Sequence, residues 1–321
     1  MREKMFAEAI AEAMMGEMAK DPNIFIAGED VSWGGSFGMY LTVKKDYADR
    51  LIDTPITETA IAGLGLGSAL VGLRPILEFN FNDFMLVAFD EIANQIAKFS
   101  YMNGGQVKLP IVLLAEYGIT GGAAAQHSQS LESLFCHIPG LKVVIPSNPA
   151  DAKGLMTAAI RDDSPVVFMQ SLSTLAVKGD TPEGDYVVPL GKSAVAREGK
   201  DVTIVSWGNI LHNSLKAAEI LASEGISAEV VDVRTLVPFD REGILESIAK
   251  THKLVIAHEA VKQGGFGAEI AAVVAEYGMD LLDAPIARLG APFCPVPFSP
   301  PLEAEYKVSP DKIVAAVKSL F

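Results

Sequence analysis

The 321-residue sequence is poor in cysteine, in basic residues and in long apolar runs. Its two cysteines, Cys136 and Cys294, stand far apart without a CxxC pair, which argues against a zinc site, an iron–sulfur cluster or a disulfide framework. The formal net charge is −14 at pH 7, so no nucleic acid or anionic membrane is expected as a partner, because both need basic patches. No stretch reaches the roughly twenty uninterrupted apolar residues that span a bilayer. The first twenty residues are typical of an amphipathic helix and not of a signal peptide, so we expect a soluble, cytoplasmic protein.

Several nucleotide-binding and nucleophile motifs are also missing. No GxGxxG follows a predicted strand, and there is neither a Walker A segment nor a Gly-x-Ser-x-Gly elbow. The Gly-rich stretch at 264–267 comes closest to a phosphate-binding loop, but it is more typical of close helix packing. The sequence therefore offers no common dinucleotide, P-loop or serine-hydrolase site.

Helix-like and strand-like stretches alternate along the whole chain. In the first half, strands are predicted at 24–27, 75–79, 110–115, 142–145 and 165–169, and helices at 4–19, 58–73, 83–101, 128–136 and 150–161. In the second half, strands are predicted at 202–206, 228–232, 253–257 and 285–289, and helices at 210–223, 240–250, 266–277 and 310–319. Strands that are short apolar runs between helices favour parallel sheets covered on both faces.

The chain is long enough for two ordinary domains, each with its own core. Residues 171–200 interrupt the alternation with turn-forming and charged residues, and we expect the connection between domains there. We therefore predict an α/β fold of two domains, 1–185 with a parallel sheet and a smaller 186–321. The proline-rich segment 292–301 is predicted to be an extended connection.

Glu58 is the one carboxylate at the head of a predicted helix that is otherwise uncharged through Leu70, so we expect this segment to be buried. Thr57 or Thr59 could cap the helix, and an acid in its first turn suits the helix dipole. A buried carboxylate is costly unless it meets a partner, becomes protonated or takes part in chemistry. On this segment alone, two interpretations stay open: a dipole acid, or an acid directed at a ligand nitrogen.

His127 lies in a loop of small residues, 121–130, which follows a predicted strand and precedes a helix. A histidine at the carboxyl edge of a sheet could act as an acid or base near neutral pH. A histidine packed among polar neighbours is at least as common, so this residue alone decides nothing. The other four histidines lack the spacing of a metal site and are interpreted as structural: His137, His212, His252 and His258.

Taken together, several segments resemble the β subunit of the E1 component of thiamine diphosphate-dependent 2-oxo acid dehydrogenase complexes. They follow the order of that family over nearly the whole chain, at 28–31, 53–58, 72–75, 89–98, 124–130, 139–144 and 159–162. Members act on pyruvate, branched-chain 2-oxo acids or acetoin, and this sequence looks most like the acetoin and pyruvate dehydrogenase β chains. The resemblance implies an N-terminal transketolase-like, pyrimidine-binding domain and a transketolase C-terminal-like domain.

The resemblance also implies roles for individual residues. The acid at the position of Glu58 hydrogen-bonds N1′ of the cofactor's aminopyrimidine and so helps to activate the cofactor. The aromatic at Phe84 would lie against the pyrimidine ring, with Ile56 and Asn80 nearby. His127 would line the substrate side, where it could shuttle protons or steady the reductive acylation of lipoamide.

Two kinds of metal ion follow from the same resemblance. A potassium-like cation is held in the family by main-chain oxygens. The matching positions are Ile111, Ala159, Ile160, Asp162 and Ser164. Thiamine enzymes hold the diphosphate through Mg²⁺ with a Gly-Asp-Gly segment followed by Asn, a pattern that the segments 179–181 and 184–186 do not match.

The missing Gly-Asp-Gly implies that a partner α subunit supplies the Mg²⁺ and diphosphate half of the site. The cofactor would then lie at a subunit interface, in an α2β2 tetramer. The resemblance further implies a lipoyl-bearing E2 acyltransferase as partner, and the acidic charge of this chain suits a basic subunit-binding domain on that protein.

Two buried-strand positions depart from the family. Many members carry Arg where this chain has Leu114, and Glu where it has Gln170. If those two residues form an ion pair in relatives, their joint loss is understandable, because one charge left alone would be costly.

Two alternative functions remain beside the E1 β subunit hypothesis. The carboxyl-terminal half of a split transketolase would act on sugar phosphates and needs a basic cluster, but the loop around His127 has no Arg or Lys. A non-catalytic, flavodoxin-like interaction subunit would give Glu58 and His127 only structural roles.

Overall fold

A computed structural model describes residues 1–119 and 121–321. The chain divides into two compact units. Unit 1 comprises Met1–Tyr117 and Leu134–Leu190, and unit 2 comprises Gly118–Ser133 and Gly191–Phe321. Among the described residues, no helix has the length and apolar character needed to cross a membrane.

The first part of the chain forms a parallel sheet, a separate two-stranded antiparallel sheet and helices. Its strands are β1 Arg2–Met5, β2 Ile24–Gly28, β3 Leu51–Asp53, β4 Arg74–Phe81, β5 Val112–Tyr117, β6 Lys142–Val144, β7 Val166–Ser171 and β8 Lys178–Thr181. Its helices are α1 Phe6–Met18, α2 Val43–Tyr47, α3 Glu58–Leu70, α4 Ala97–Met102, α5 Glu132–Cys136 and α6 Pro149–Arg161.

Within unit 1, the strands of the main sheet lie in the order β6-β7-β5-β4-β2-β3, and every one of these pairings is parallel. Apolar side chains of the strands pack with α1 and α6 in a buried core that includes Phe6, Ile26, Leu155 and Phe168. This arrangement brings the carboxyl ends of β2, β4 and β5 to one edge of the sheet, where ligand sites of open α/β sheets are found.

Two predicted helices of this part were wrong in detail. The predicted helix at 4–19 begins with strand β1, which pairs antiparallel with β8, so α1 starts only at Phe6. The predicted helix at 83–101 is a 3₁₀ turn at Phe84–Leu86 and then a π-helix at Glu91–Ile96 that leads into α4. Asp83, which the sequence also offers as a cap for this helix, makes no side-chain capping hydrogen bond to the 3₁₀ turn; its carboxylate accepts a hydrogen bond from the Asn82 side chain at 3.0 Å.

The second part of the chain also alternates strands and helices, and most of its strands form one mixed sheet. Its strands are β9 Ala194–Arg197, β10 Val202–Ser206, β11 Ala228–Asp232, β12 Thr235–Val237, β13 Leu254–Val261 and β14 Ala287–Ala291. Its helices are α7 Asn209–Ser223, α8 Arg241–Thr251, α9 Gly267–Tyr277, α10 Pro300–Tyr306 and α11 Pro310–Lys318.

The unit 2 sheet has the order β14-β13-β10-β11-β9, with only β9 antiparallel to its neighbour among these pairings of the described chain. Helices α7 and α11 pack on its core, which includes Ile204, Leu221 and Ile313. The segment 292–301 was predicted to be extended throughout, but its last two prolines begin α10, where the first helical turn needs no backbone N–H donor.

Candidate functional site

Glu58 is the first residue of α3, and only 7% of it is exposed. Thr57 occupies the N-cap position, but its side chain makes no capping hydrogen bond; its carbonyl accepts the N–H groups of Ala60 and Ile61 at 3.0 and 3.1 Å. The Thr59 hydroxyl donates instead to the carbonyl of Val87 at 3.2 Å. The expected threonine cap is therefore wrong, and Glu58 is the polar side chain that the helix start presents.

The carboxylate of Glu58 has no protein partner within residues 1–119 and 121–321, neither a hydrogen-bond donor nor a Lys or Arg in an ion pair. The charged group beside it is another acid, Glu29. Burial raises the pKa of Glu29, and the charge of Glu58 raises that pKa further. Two neighbouring acids without a cation form a site that favours a positive or hydrogen-donating ligand atom.

Asn80 is hydrogen-bonded to Glu29, one of these two acids. Its side-chain Nδ2 donates to Glu29 at 3.1 Å, and its Oδ1 accepts the hydroxyl of Ser36 at 2.7 Å. Its φ of 56° is left-handed, which is uncommon outside glycine although asparagine tolerates it better than most residues. Asn80 is thus held at both ends of its amide and by its backbone, as expected of a residue that orients a site.

The aromatic and apolar members of the predicted site also lie in unit 1. Phe84 packs edge-to-face on Phe81 with ring centroids 5.7 Å apart, and Ile56 is 81% exposed just before α3. Leu86 and Val87 are exposed as well. The surroundings of Glu58 therefore combine a buried acid with apolar side chains that face solvent.

Two acids of this region were missed from the sequence, Glu78 and Glu116. Both are 1% exposed, and they lie on the neighbouring strands β4 and β5. The Tyr40 hydroxyl and the Asn80 N–H donate to the two carboxylate oxygens of Glu78. Single charged residues within apolar strands, at Leu77-Glu78-Phe79 and Ala115-Glu116-Tyr117, were the signal that could have revealed them.

The two positions that were expected from the resemblance to depart from the family also lie here. Gln170 is opposite Glu116 in the register of β5 and β7, and its Nε2 donates to Oε1 of Glu116 at 2.7 Å. Leu114 is fully buried opposite Glu78. In this chain the Gln170 side chain therefore donates a hydrogen bond to Glu116 on β5, and the Leu114 side chain contributes only apolar packing.

His127 belongs to unit 2, where it follows a 3₁₀ turn at Ala124–Gln126 and is partly exposed. The residues after it line a cavity of about 450 Å³ together with Glu259 and Tyr306. Burial raises the pKa of Glu259 to about 7, although the N–H of Ile119 donates to its Oε1 at 2.9 Å and lowers it. The His127 loop therefore borders a mostly apolar cavity with one titratable acid.

Two further buried groups of unit 2 were also absent from the predicted site. Burial raises the pKa of Glu132 to about 7, and neither of its carboxylate oxygens has a hydrogen-bond partner in the described chain. His258 stacks on Trp207 with ring centroids 5.3 Å apart, and burial lowers the pKa of His258 to about 4. A neutral, stacked histidine agrees with the structural interpretation of His258.

The main-chain oxygens proposed for a cation lie in unit 1, and most already accept a hydrogen bond. The guanidinium of Arg74 donates to the carbonyls of Ile160 and Asp162, at 2.7 and 3.0 Å from its Nη2. The carbonyl of Ile111 accepts the Val166 N–H at 2.9 Å, and that of Ala159 accepts the Asp162 N–H at 3.3 Å. For Ser164 the structure gives a backbone N–H that donates to Asp162 at 2.9 Å. The Ile160 carbonyl also accepts the Nε of Arg74 at 3.1 Å, so a cation here would compete with Arg74 for the Ile160 and Asp162 oxygens.

Comparison with known proteins resolves the family. The model described as transketolase, pyrimidine binding domain matches residues 2–177, and that of the transketolase C-terminal domain matches 191–313. The chain is 46% identical to the acetoin:2,6-dichlorophenolindophenol oxidoreductase subunit beta of Bacillus subtilis (strain 168), over 98% of this chain and 96% of that protein. It is 45% identical to the mitochondrial pyruvate dehydrogenase E1 component subunit beta of Dictyostelium discoideum, over 99% and 91%. The chain belongs to the family of E1 β subunits.

A solved structure with the same fold is described as a split gene transketolase, inactive beta4 tetramer. It matches this E1 β-family chain with a TM-score of 0.79 and 28% identity, over 98% of this chain and 96% of that one. The predicted α/β architecture with two transketolase-like domains is therefore confirmed. Membership of the E1 β family places the chain with oxidoreductases, and its transketolase-type and E1 relatives imply the use of thiamine diphosphate.

Proposed function

We propose that the chain is the β subunit of an E1 dehydrogenase that uses thiamine diphosphate. With an α subunit it would decarboxylate a 2-oxo acid such as pyruvate, or cleave acetoin, and pass the acyl group to lipoamide on E2. The observation that carries the proposal is the buried carboxylate of Glu58, which has no partner in the described chain and lies beside a second acid. Such a group is stabilised when a ligand supplies the hydrogen bond that the protein does not.

The residues present fit an aminopyrimidine. Glu58 would hold a proton at ring atom N1′, Phe84 would pack on the ring, and Ile56 would cover it. Asn80 would keep Glu29 in place beside Glu58, as its 3.1 Å hydrogen bond indicates. When bound, thiamine diphosphate supplies the nucleophilic carbon that attacks the substrate carbonyl.

His127 would act on the substrate side, by holding or moving a proton at the substrate oxygen or by steadying the lipoyl group. Its partly exposed position in a loop supports access to a substrate. Among the described residues, the lining of the neighbouring cavity includes the carboxyl group of Glu259 and no Lys or Arg, which suits a small uncharged substrate portion better than a phosphate.

A partner subunit is supported by the surface of α3. The helix was expected to be buried, but one of its faces is exposed, and this face carries no charge: Gly63, Leu64, Gly67, Leu70 and Val71 lie on it. A Cβ added at Gly63 or Gly67 would meet nothing within 4 Å, so this face can receive another helix closely. Because the face begins at Glu58 and continues the exposed apolar rim of the site, we assign it to the α subunit, which would bring the diphosphate half.

Mg²⁺ would be held mainly by residues of that α subunit. We also propose that the carbonyls near Arg74 bind a K⁺ ion. The test of this site is to measure cofactor affinity of the α/β complex in potassium and in tetramethylammonium salts. Equal affinities in both salts would contradict it.

The proposed function is tested by reconstitution. Coexpression with the cognate α chain should give a complex that reduces a dye with pyruvate or acetoin, only when both thiamine diphosphate and Mg²⁺ are present. Turnover of pyruvate, acetoin and branched 2-oxo acids compared side by side would identify the substrate. A complex that binds no thiamine diphosphate by titration calorimetry would overturn the proposal and favour a scaffold.

A split transketolase is the second candidate, because the solved structure described above carries that description. It would act on sugar phosphates, and such substrates need basic side chains that the segment 118–133 does not contain. Transfer of a two-carbon unit between sugar phosphates by the α/β complex, without dye reduction, would favour it over the E1 assignment.

A further inference from the structure

Glu78 and Glu116 form a buried acid pair that the proposed role of Glu58 does not use. Their carboxyl groups are in hydrogen-bond contact with each other, and each residue is 1% exposed. Neither forms an ion pair with a Lys or Arg of the described chain. Two neighbouring carboxylates in an apolar interior cannot both be charged at low cost, so the pair holds a proton.

The hydrogen-bond donors around the pair show which member carries that proton. Glu78 accepts the Tyr40 hydroxyl and the Asn80 N–H, the latter at 3.0 Å, as a carboxylate does. Glu116 accepts Gln170 on Oε1, whereas no donor of the described chain reaches its Oε2. A proton on Oε2 of Glu116 turns this unsatisfied acceptor into a donor to Glu78.

The electrostatics agree with that assignment. Burial and the adjacent charge of Glu78 raise the pKa of Glu116 well above its usual range. The other titratable groups that face the pair are Tyr40 and Glu29. Burial and the Glu78 charge raise the pKa of Tyr40 well above its ordinary value, so it stays a phenol, and burial with the Glu58 charge raises the pKa of Glu29.

The pair connects to the candidate site through Asn80. Glu78 fixes the left-handed backbone of Asn80, and the Asn80 side chain reaches Glu29, the neighbour of Glu58. We propose that Glu116 is a positioning residue, whose protonated carboxyl donates to Glu78 so that the pair fixes Asn80 and keeps Glu29 beside Glu58. This inference rests on the proposed function, because Glu58 is its target.

The inference predicts a direction of pH dependence. The folded pKa of Glu116 is raised, so its favourable contribution is complete below the unfolded value of about 4.5 and is lost as the pH rises through the folded pKa. Deprotonation of Glu116 would then place a second negative charge beside Glu78 and weaken the hydrogen bonding that holds the Asn80 backbone. Cofactor affinity should therefore fall with rising pH.

The test measures thiamine diphosphate affinity of the full α/β complex with Mg²⁺ by titration calorimetry from pH 6.5 to 9.5. Wild type should weaken by about tenfold or more towards high pH. Glu116→Gln should hold its affinity, because its amide donates to Glu78 without titrating and still accepts from Gln170. Glu116→Ala should bind about tenfold more weakly than wild type at pH 6.5 and show little dependence on pH, because the carboxyl group that titrates is gone.

The matched control is Glu229→Gln, which alters a buried acid of unit 2 that is paired with Lys250 and Ser247. It should lower the melting temperature but keep the wild-type pH profile of affinity. A Glu116→Gln profile that follows wild type overturns the positioning role even if Glu116→Ala fails to fold. A wild-type complex that binds no cofactor overturns the proposed function and this inference together, whereas normal binding with unaltered Glu116 variants overturns the inference alone.

Discussion

Unit 1 holds two clusters of carboxylates that are stabilised in opposite ways. In the ion-pair cluster, Glu17 and Asp185 meet Arg161 and Lys20, with nitrogen–oxygen distances of 2.7 to 2.8 Å. In the acid cluster, Glu29, Glu58, Glu78 and Glu116 meet amides, a phenol and one another, and no Lys or Arg of the described chain pairs with them.

We infer from this difference that the carboxylates of the ion-pair cluster stabilise the fold, whereas those of the acid cluster belong to the candidate site. The cations lower the pKa of Asp185 to about 2, so that cluster is ionised and satisfied without any ligand. In the acid cluster, Oε2 of Glu116 has no hydrogen-bond donor in the described chain, and under the proposed function a retained proton and a bound ligand would satisfy the cluster. Groups with raised pKa values that lack a cation are the ones that can donate or accept a proton near neutral pH.

The largest expected effect follows removal of the acid at the head of α3. Glu58→Gln and Glu58→Ala should each lower the dye-reducing kcat/KM of the α/β complex by about 10²- to 10⁴-fold, because proton transfer at the pyrimidine ring is lost. The melting temperature without cofactor should stay the same or rise, since a carboxylate without a partner is removed. Full activity of Glu58→Ala in the reconstituted complex would refute the N1′ role.

A second change would make the acid cluster more acidic. Gln170→Glu places a third carboxyl beside Glu116 and removes the amide donor, so the free energy of unfolding at pH 8 should fall by about 3 kcal/mol. Adding Leu114→Arg, opposite Glu78, should restore much of this loss in the double variant. The same substitution in the wild-type protein, which keeps Gln170, should raise the free energy of unfolding little. Urea unfolding of the four proteins measures the coupling, and additive effects would contradict it.

Glu132 tests whether a raised pKa alone marks function. Its pKa of about 7 means that its contribution to stability is complete below about 4.5 and is lost as the pH rises through 7. Glu132→Gln should remove about 2 kcal/mol of that pH-dependent loss, measured as the slope of unfolding free energy between pH 5 and 8. Cofactor affinity should not change, because no hydrogen bond or ion pair of the described chain joins Glu132 to the acid cluster. An unchanged stability slope would mean that Glu132 is ionised or solvated.

Much of the fold could be predicted because its signals are local. Apolar runs and turn residues located β10 and β11 to the residue, and the proline at the start of α11 marked that helix. Strands β1 and β8 were missed because they are polar and pair only with each other across the chain, a contact that no local pattern reveals. The π-helix was missed for a related reason, because its periodicity differs little from that of an α-helix over six residues.

The residues of the candidate site likewise fall into those that the sequence could predict and those that it could not. Glu58 was identifiable because one acid stood before an uncharged helix, and the family resemblance supplied its proposed role. The pair of Glu78 and Glu116 could not be found by spacing, since the two residues are 38 positions apart and meet only through the register of β4 and β5. The exposed face of α3 was predicted as buried because a sequence of small apolar residues does not distinguish a core from a surface that another chain covers.

The smallest expected effect lies in the ion-pair cluster. Burial alone would raise the pKa of Glu17, but hydrogen bonds from Arg161 and Lys20 outweigh it and lower that pKa. Its contribution is therefore present above the unfolded value of about 4.5 and is lost as the pH falls through the lowered folded pKa. Glu17→Gln should lower the free energy of unfolding by about 1 kcal/mol at pH 7, because partly exposed pairs are screened by solvent, and by less at pH 3. Thiamine diphosphate affinity should match wild type at both ends of the range from pH 6.5 to 9.5. A change in the cofactor affinity of Glu17→Gln would show that the ion-pair cluster also positions the site. The two clusters would then differ only in the size of their effect on the site.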